Sequence, residues 1–247
     1  MNIAMWSGPR NLSTALMYAF AQRADTAVWD EPFYAAYLRR TGLPHPMAAE
    51  VIAAGETDPA AVARRCAAPS GDAPHIYQKH MAQHMIDGFD LSFMDRVTNA
   101  FLIRHPARVL ASYHAKREDP TEADIGARRL RDLFERARRA SDAIVIDGDD
   151  IRRAPRAALH RLCDALGLAF EDRMLRWPEG GNAADGVWAA YWYGAVHAST
   201  GLRASDPGPL PDLPRRLRPA LEEAMPHYDA MRAHALRVPH AQTETAT

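Results

Sequence analysis

Cysteine is scarce in this sequence, which has two, Cys66 and Cys163, among 247 residues. Two cysteines so far apart do not make a disulfide framework, so we expect a reducing compartment and a cytoplasmic location. No apolar run reaches the ~20 residues that span a bilayer, and the first residues show no signal-peptide pattern. The sequence therefore argues against a disulfide-rich secreted domain and against a membrane partner.

The sequence also lacks an excess of positive or of negative charge. The formal net charge is -1, from 30 Lys and Arg against 31 Asp and Glu. Nothing in this balance predicts a nucleic-acid partner, and any anion must be bound by locally placed cations. Zinc is not expected either, because His80 and His84 are spaced as a pair of ligands but no third ligand is evident.

Short apolar runs alternate with helical patterns along the first two thirds of the chain. We predict strands at residues 3–7, 26–29, 75–78, 98–103 and 143–146, and helices at residues 12–20, 106–113, 120–140, 155–166 and 215–235. Such alternation predicts an α/β fold with a five-stranded parallel sheet between two helical layers. We expect one domain over residues 1–238, with helical cap insertions at 41–74 and 177–214 that form the substrate pocket, and a flexible tail at 239–247.

Ionisable side chains follow four of the predicted strands, namely Arg10, Glu31, Lys79 and Arg104. Ligands of parallel sheets bind beyond the carboxyl ends of the strands. We therefore expect these four groups to converge on one edge of the sheet.

The loop at residues 7–14, SGPRNLST, joins the first strand to the first helix. The free N–H groups and the dipole at a helix start favour an anion, and Ser13, Thr14 and Arg10 add further donors. By itself this pattern also fits an ordinary turn in which Ser or Thr caps a helix. The Gly-x4-Gly-Lys-Ser/Thr pattern is absent, which disfavours ATPase or kinase chemistry.

A second motif, IRHPARVLASYH, places Ser112 eight positions after Arg104. This motif resembles the 3′-phosphate site of sulfotransferases that use 3′-phosphoadenosine 5′-phosphosulfate (PAPS), and residues 7–14 resemble their 5′-phosphosulfate loop. The resemblance covers about residues 2–170 and is closest to bacterial sulfotransferase-like proteins. It implies a P-loop-type nucleotide-binding fold, PAPS as donor without a metal, and a hydroxyl or amine acceptor on a small molecule or glycan.

The resemblance also implies roles for individual residues. Arg104 and Ser112 would hold the 3′-phosphate, and the 5′-phosphosulfate would lie on Arg10, Asn11, Leu12, Ser13 and Thr14. Leu12 stands where the family has glycine, and Asn11 where it has serine, so a glycine-like backbone at Leu12 would be strained. Glu31 is the candidate base, with His80 as the alternative, and Lys79 would assist the leaving group.

Other interpretations remain open from the sequence. Glu31 or Asp30 could pair with Arg39 or Arg40 instead of acting in catalysis. The whole chain could be a non-catalytic nucleotide-binding protein of the same fold, for which Leu12 is the best support, or an ATP-dependent phosphotransferase. A monomer and a homodimer are both compatible with the sequence.

Overall fold

The computed structural model describes residues 1–69, 71–115 and 119–239, so residues 240–247 of the predicted tail lie outside the described residues. Five parallel strands of the described chain form one sheet in the order β2-β3-β1-β4-β5. The strands are β1 (Asn2–Ser7), β2 (Thr26–Asp30), β3 (His75–Met81), β4 (Thr98–Ile103) and β5 (Ile144–Asp147). The predicted five-stranded parallel sheet is confirmed.

Helices connect and flank these strands. They are α1 (Ser13–Ala21), α2 (Tyr34–Thr41), α3 (Ala48–Ala54), α4 (Pro59–Ala67), α5 (Pro106–His114), α6 (Glu122–Ile125), α7 (Ala127–Ala140), α8 (Gly148–Arg153), α9 (Pro155–Leu166), α10 (Ala189–Trp192), α11 (Gly194–His197) and α12 (Arg218–Arg232). Short 3-10 turns lie at Ala82–His84, Ser92–Arg96, Asp172–Leu175 and Arg215–Leu217. No helix of the described chain is long and apolar enough to cross a bilayer.

Alternation along β1 divides the core into two layers. Ile3 and Met5 pack with α1 and α9 on one face of the sheet, while Ala4 and Trp6 pack with α4 and α7 on the other. Both faces are covered because strand side chains point alternately up and down. Each large apolar side chain buried this way contributes about 1.5–3 kcal/mol to folding. The predicted three-layer fold is confirmed.

Several elements differ from the predictions for local reasons. The helix expected over residues 120–140 is broken into α6 and α7 at Gly126, whose φ of 66° is left-handed and ends the first segment. A capping box between Thr121 and Asp124 starts that segment. The short helix α8 was not predicted, although Asp147 caps it by accepting a hydrogen bond from the Asp149 N–H.

The third strand is longer than predicted and contains Lys79 and His80, which we expected to follow it. Lys79 pairs in register with Met5 of β1 and Asp30 of β2, so the sheet extends on both sides of it. Both side chains are buried, with about 1% exposed. Because adjacent strand residues point to opposite faces, only one of these two side chains can face a given layer.

Candidate active site

A cavity of about 670 Å³ opens at the carboxyl edge of the sheet. The β1–α1 loop, the ends of β2, β3 and β4, and residues 192–205 contribute to its walls. Nine of the ten predicted site residues line it, namely Arg10, Asn11, Leu12, Ser13, Thr14, Glu31, Lys79, Arg104 and Ser112. The four groups expected to converge on one edge of the sheet do so.

The β1–α1 loop is held in an unusual backbone conformation. Arg10 has a φ of 63° and Leu12 a φ of 67°, both left-handed, which costs a non-glycine residue roughly 1–2 kcal/mol. The strain expected at Leu12 is therefore present. The loop also packs tightly, since a Cβ on Gly8 would collide with the carbonyl oxygen of Ile125. Such a braced loop at a helix start is the geometry of an anion cradle.

Two further features of the loop leave the N–H groups at the start of α1 available to a ligand. Leu12, the residue before the helix, makes no side-chain cap. Asn11 points inward, where its Nδ2 donates to the carbonyl oxygen of Leu102, 3.3 Å away on β4. The first N–H groups of a helix have no intrahelical partners, and here Ser13 and Thr14 line the cavity beside them. The start of α1 can therefore accept an anionic group.

Hydrogen bonds join the loop to the second predicted motif. Arg10 Nε donates to Ser112 Oγ at 3.0 Å, and Arg104 Nη1 donates to the carbonyl oxygen of Arg10 at 2.7 Å. Burial lowers the pKa of both arginines, which nevertheless stay charged at neutral pH. Arg104 Nε is buried and has no hydrogen-bond partner among the described residues; Asp149 Oδ1 is 3.8 Å away. The two motifs thus form one continuous cationic surface.

Lys79 lies in a compact polar cluster at the other side of the cavity. Its Nζ donates to Asp30 Oδ1 at 2.8 Å, to Tyr193 Oη at 2.6 Å and to Glu31 Oε1. Burial alone would lower the pKa of Lys79, but the charges of Asp30 and Glu31 raise it above its usual value. Burial raises the pKa of Asp30 to about 6 although Lys79 opposes the shift. Lys79 is therefore a permanent ammonium at neutral pH.

Glu31 is fixed by its backbone as well as by this cluster. Its φ is 42°, its N–H donates to the carbonyl oxygen of Lys79 at 2.9 Å, and its own carbonyl accepts from Tyr34 N at 3.0 Å. Its Oε2 is 3.9 Å from His84 Nδ1. Glu31 pairs with Lys79, whereas the sequence had left open a pairing with Arg39 or Arg40 as the alternative to catalysis. The carboxylate is thus anchored at the cavity wall.

The placement of His80 at the site is wrong. Its ring stacks on Trp6, with centroids 4.4 Å apart, and its Nε2 lies 3.0 Å from Gln78 Oε1. These contacts are in the core on the face opposite to Lys79, away from the cavity. Burial lowers the pKa of His80 to about 3, so the ring is neutral. A group buried in this way cannot reach an acceptor in the cavity.

Aromatic side chains that the sequence did not assign to the site line the cavity around Glu31. They include Tyr34, His45, His84, Tyr113, Trp192 and Tyr193. Tyr34 stacks on His84 with centroids 4.5 Å apart, and its hydroxyl lies 3.1 Å from His45 Nδ1. Burial lowers the pKa of His84 well below its usual value, so this ring is neutral. For Trp192 and Tyr193 the sequence offered a signal, the aromatic residues at 188–193, but such a run also fits core packing.

The charges around the cavity are strongly unequal. Among the described residues, its cationic side chains are Arg10, Lys79, Arg104, Arg152 and Arg203, and its only carboxylate is Glu31. No cluster of three or more His, Cys, Asp or Glu side chains suited to a metal occurs within the described ranges. The cavity therefore suits a ligand with more than one anionic group, held by arginines and backbone N–H groups.

Comparisons with known proteins cover nearly the whole chain. Residues 1–235 match the family described as Sulfotransferase domain. The Arabidopsis thaliana proteins named Branched-chain-amino-acid aminotransferase-like protein 1 and protein 2 are 37% and 35% identical over 234 residues, which are 94% of this chain but 42% and 41% of theirs. The chain thus spans less than half the length of these relatives.

A solved structure has the same fold. It is the sulfotransferase domain from the olefin synthase of Synechococcus PCC 7002, which matches with a TM-score of 0.50 and 17% identity over 95% of both chains.

Proposed function

The chain belongs to the sulfotransferase domain family, and on that premise we propose that it transfers a sulfuryl group from PAPS to a hydroxyl or amine of a small molecule. One observation carries the choice of donor. The hydrogen bond from Arg10 to Ser112, 102 residues apart, joins the loop at the start of α1 to the segment that follows β4. PAPS has anionic groups at both its 3′ and its 5′ positions, and this arrangement offers a cationic region for each.

Each end of the donor would have its own partners. Arg104 and Ser112 would hold the 3′-phosphate, because Arg104 presents a charged fork with an unused buried N–H. Ser13, Thr14 and the N–H groups of α1 would hold the 5′-phosphosulfate. Arg10 lies between the two regions through its contacts with Ser112 and Arg104. Asn11 and Leu12 would shape the loop without binding charge themselves.

Sulfuryl transfer needs two further functions, which Glu31 and Lys79 would supply. The acceptor oxygen or nitrogen attacks sulfur in line, the bond from sulfur to the bridging phosphate oxygen breaks, and 3′-phosphoadenosine 5′-phosphate (PAP) leaves. Glu31 would take the proton from the acceptor, and the Lys79 ammonium would stabilise negative charge on the departing oxygen. By analogy with phosphoryl transfer, the transition state is expected to be loose.

The acceptor would lie against the aromatic side chains near Glu31. Tyr34, His84 and Trp192 line the cavity there, and neutral His84 adds no positive charge. Rings of this kind favour flat, apolar partners through stacking. We therefore expect an uncharged acceptor with a ring and a hydroxyl or amino group, in preference to an anionic glycan.

Calorimetry and a transfer assay test the proposal. PAP should bind more tightly than ADP with Mg²⁺, and tighter ADP binding would favour an ATP-dependent phosphotransferase instead. With ³⁵S-labelled PAPS, neutral phenols and aromatic amines should gain label, and sulfated or uronic-acid sugars should not. Glu31→Gln should abolish transfer while it preserves PAP binding. A wild-type chain that binds PAP but labels no acceptor, in this panel or in a metabolite extract, would indicate a non-catalytic nucleotide-binding protein.

A further inference from the structure

In this conformation Glu31 cannot act as the base and Lys79 cannot assist the leaving group, because the two side chains are hydrogen-bonded to each other. Glu31 can act as a base only when its carboxylate is free to take a proton, but its Oε1 accepts a hydrogen bond from Lys79 Nζ. An ammonium in contact stabilises the ionised carboxylate and so weakens it as a base. Lys79 in turn has three N–H donors, and all three have partners here: Asp30, Tyr193 and Glu31. It has none left for a departing phosphate oxygen.

The three partners of Lys79 are not equally replaceable. Asp30 is 4% exposed and does not line the cavity. It accepts hydrogen bonds from Lys79 at 2.8 Å, from Tyr193 Oη at 2.8 Å and from Gly186 N at 3.3 Å. Loss of such a buried pairing would leave a charge without compensation. Glu31 is on the cavity wall, so its side chain is the partner that a ligand can displace.

Tyr193, which is 114 residues further along the chain than Lys79, holds this arrangement in place. Its hydroxyl accepts from Lys79 and from Trp188 Nε1 at 3.0 Å, while it donates its own proton to Asp30. Burial and the neighbouring carboxylates raise the pKa of Tyr193 well above its usual value, so it remains a hydroxyl. It therefore gives the ammonium a fixed position without adding a charge.

We propose that Asp30 and Tyr193 are positioning residues that hold the Lys79 ammonium between Glu31 and the donor site. When the donor binds, Lys79 exchanges its contact with Glu31 for a contact with the donor, and Glu31 is then free to act as the base. This inference rests on the proposed function. The released carboxylate has a second neighbour, His84, whose Nδ1 lies 3.9 Å from Glu31 Oε2 and is buried with no hydrogen-bond partner in the part of the chain that the structure describes. The base is thus unmasked only when the donor is bound.

The lysine content of the chain allows a direct test of the exchange. The sequence has two lysines, Lys79 and Lys116, so a spectrum of ¹³Cε-labelled lysine should contain two signals, and Lys116→Arg identifies them. Saturating PAP should shift the Lys79 signal, and Glu31→Gln should shift it without PAP. An unchanged Lys79 signal under conditions where calorimetry shows PAP bound would overturn the exchange. Failure of PAP to bind at all would instead overturn the proposed function.

The positioning roles are tested by kinetics with a matched control. Tyr193→Phe removes one hydroxyl, and Tyr191→Phe makes the same change at an exposed side chain outside the cavity. Because the lost contact is to charged groups, kcat should fall about 10- to 100-fold in Tyr193→Phe, with PAP affinity and acceptor KM changed less than about threefold. Tyr191→Phe should match the wild type. Equal kcat in the two variants, or parallel losses of kcat and PAP affinity in Tyr193→Phe, would refute a positioning role.

Discussion

Removal of Arg104 should weaken binding of the 3′-phosphate and leave the rest of the nucleotide bound. A hydrogen bond to a charged group is worth about 1.5–3 kcal/mol, and each 1.4 kcal/mol is tenfold in affinity. For Arg104→Ala we therefore expect the Kd of PAP to rise roughly 10- to 150-fold. The Kd of adenosine 5′-phosphate, which is PAP without the 3′-phosphate, should change by less than about threefold on the same scale.

The ratio of the two affinities is the informative quantity. Arg104 also holds the carbonyl oxygen of Arg10, so its loss loosens the loop for both nucleotides equally. This scaffold effect cancels in the ratio, which retains only the contact with the 3′-phosphate. Calorimetry of both nucleotides with each variant gives the ratio.

Two variants complete the experiment. Arg104→Lys keeps the charge but loses the fork, so its ratio should fall between those of the wild type and Arg104→Ala. Arg108 also pairs with Asp149, at 2.9 Å, but it binds the carbonyl oxygens of residues 207–209 and does not line the cavity. Arg108→Ala should therefore leave the ratio unchanged. If Arg104→Ala lowered the affinity for both nucleotides by the same factor, the assignment of the 3′-phosphate site would be refuted.

Three further predictions concern the scaffold of the site. Gly8→Ala should lower the melting temperature by roughly 2–12 °C, since overpacking against Ile125 costs about 1–3 kcal/mol, and an unchanged melting curve would contradict that contact. His80→Phe should keep turnover within about threefold, whereas loss of a true base would cost about 10²- to 10⁴-fold. Burial raises the pKa of Asp30 from 3.8 to about 6, so its contribution to stability is full below pH 3.8 and is lost as the pH rises through about 6. In urea unfolding, the stability difference between Asp30→Asn and the wild type should therefore shift in favour of the variant between about pH 4 and pH 6 and stay constant above that range, and a difference that does not change from pH 4 to pH 6 would argue against the raised pKa.

Local sequence patterns were enough to predict the sheet and the β1–α1 loop. The apolar run before Gly8 and the helical spacing after Leu12 gave β1 and α1 within a residue or two. The resemblance of a short local motif to the sulfotransferase 3′-phosphate site assigned Arg104 and Ser112 to one site, and both line the cavity. These features depend on residues that are close in sequence, so the periodicity of the apolar residues and the spacing within motifs are enough to predict them.

The features that were missed depend on distant contacts. A lysine and a histidine after an apolar run predict the end of a strand, but β3 continues because Asp30 on the neighbouring strand compensates the charge of Lys79. Tyr193 joins them from 114 positions further along the chain than Lys79. His80 was misplaced because the true strand boundary determines which face each side chain occupies.

The unequal charge of the cavity has a consequence for the speed of encounter. The chain as a whole is nearly neutral, with a formal charge of -1, so it exerts little net attraction on an anion from afar. The cluster of arginines instead acts at short range, where a cleft focuses the field on an approaching anion. The association rate of the nucleotide should therefore fall as salt is added, while that of a neutral acceptor should not.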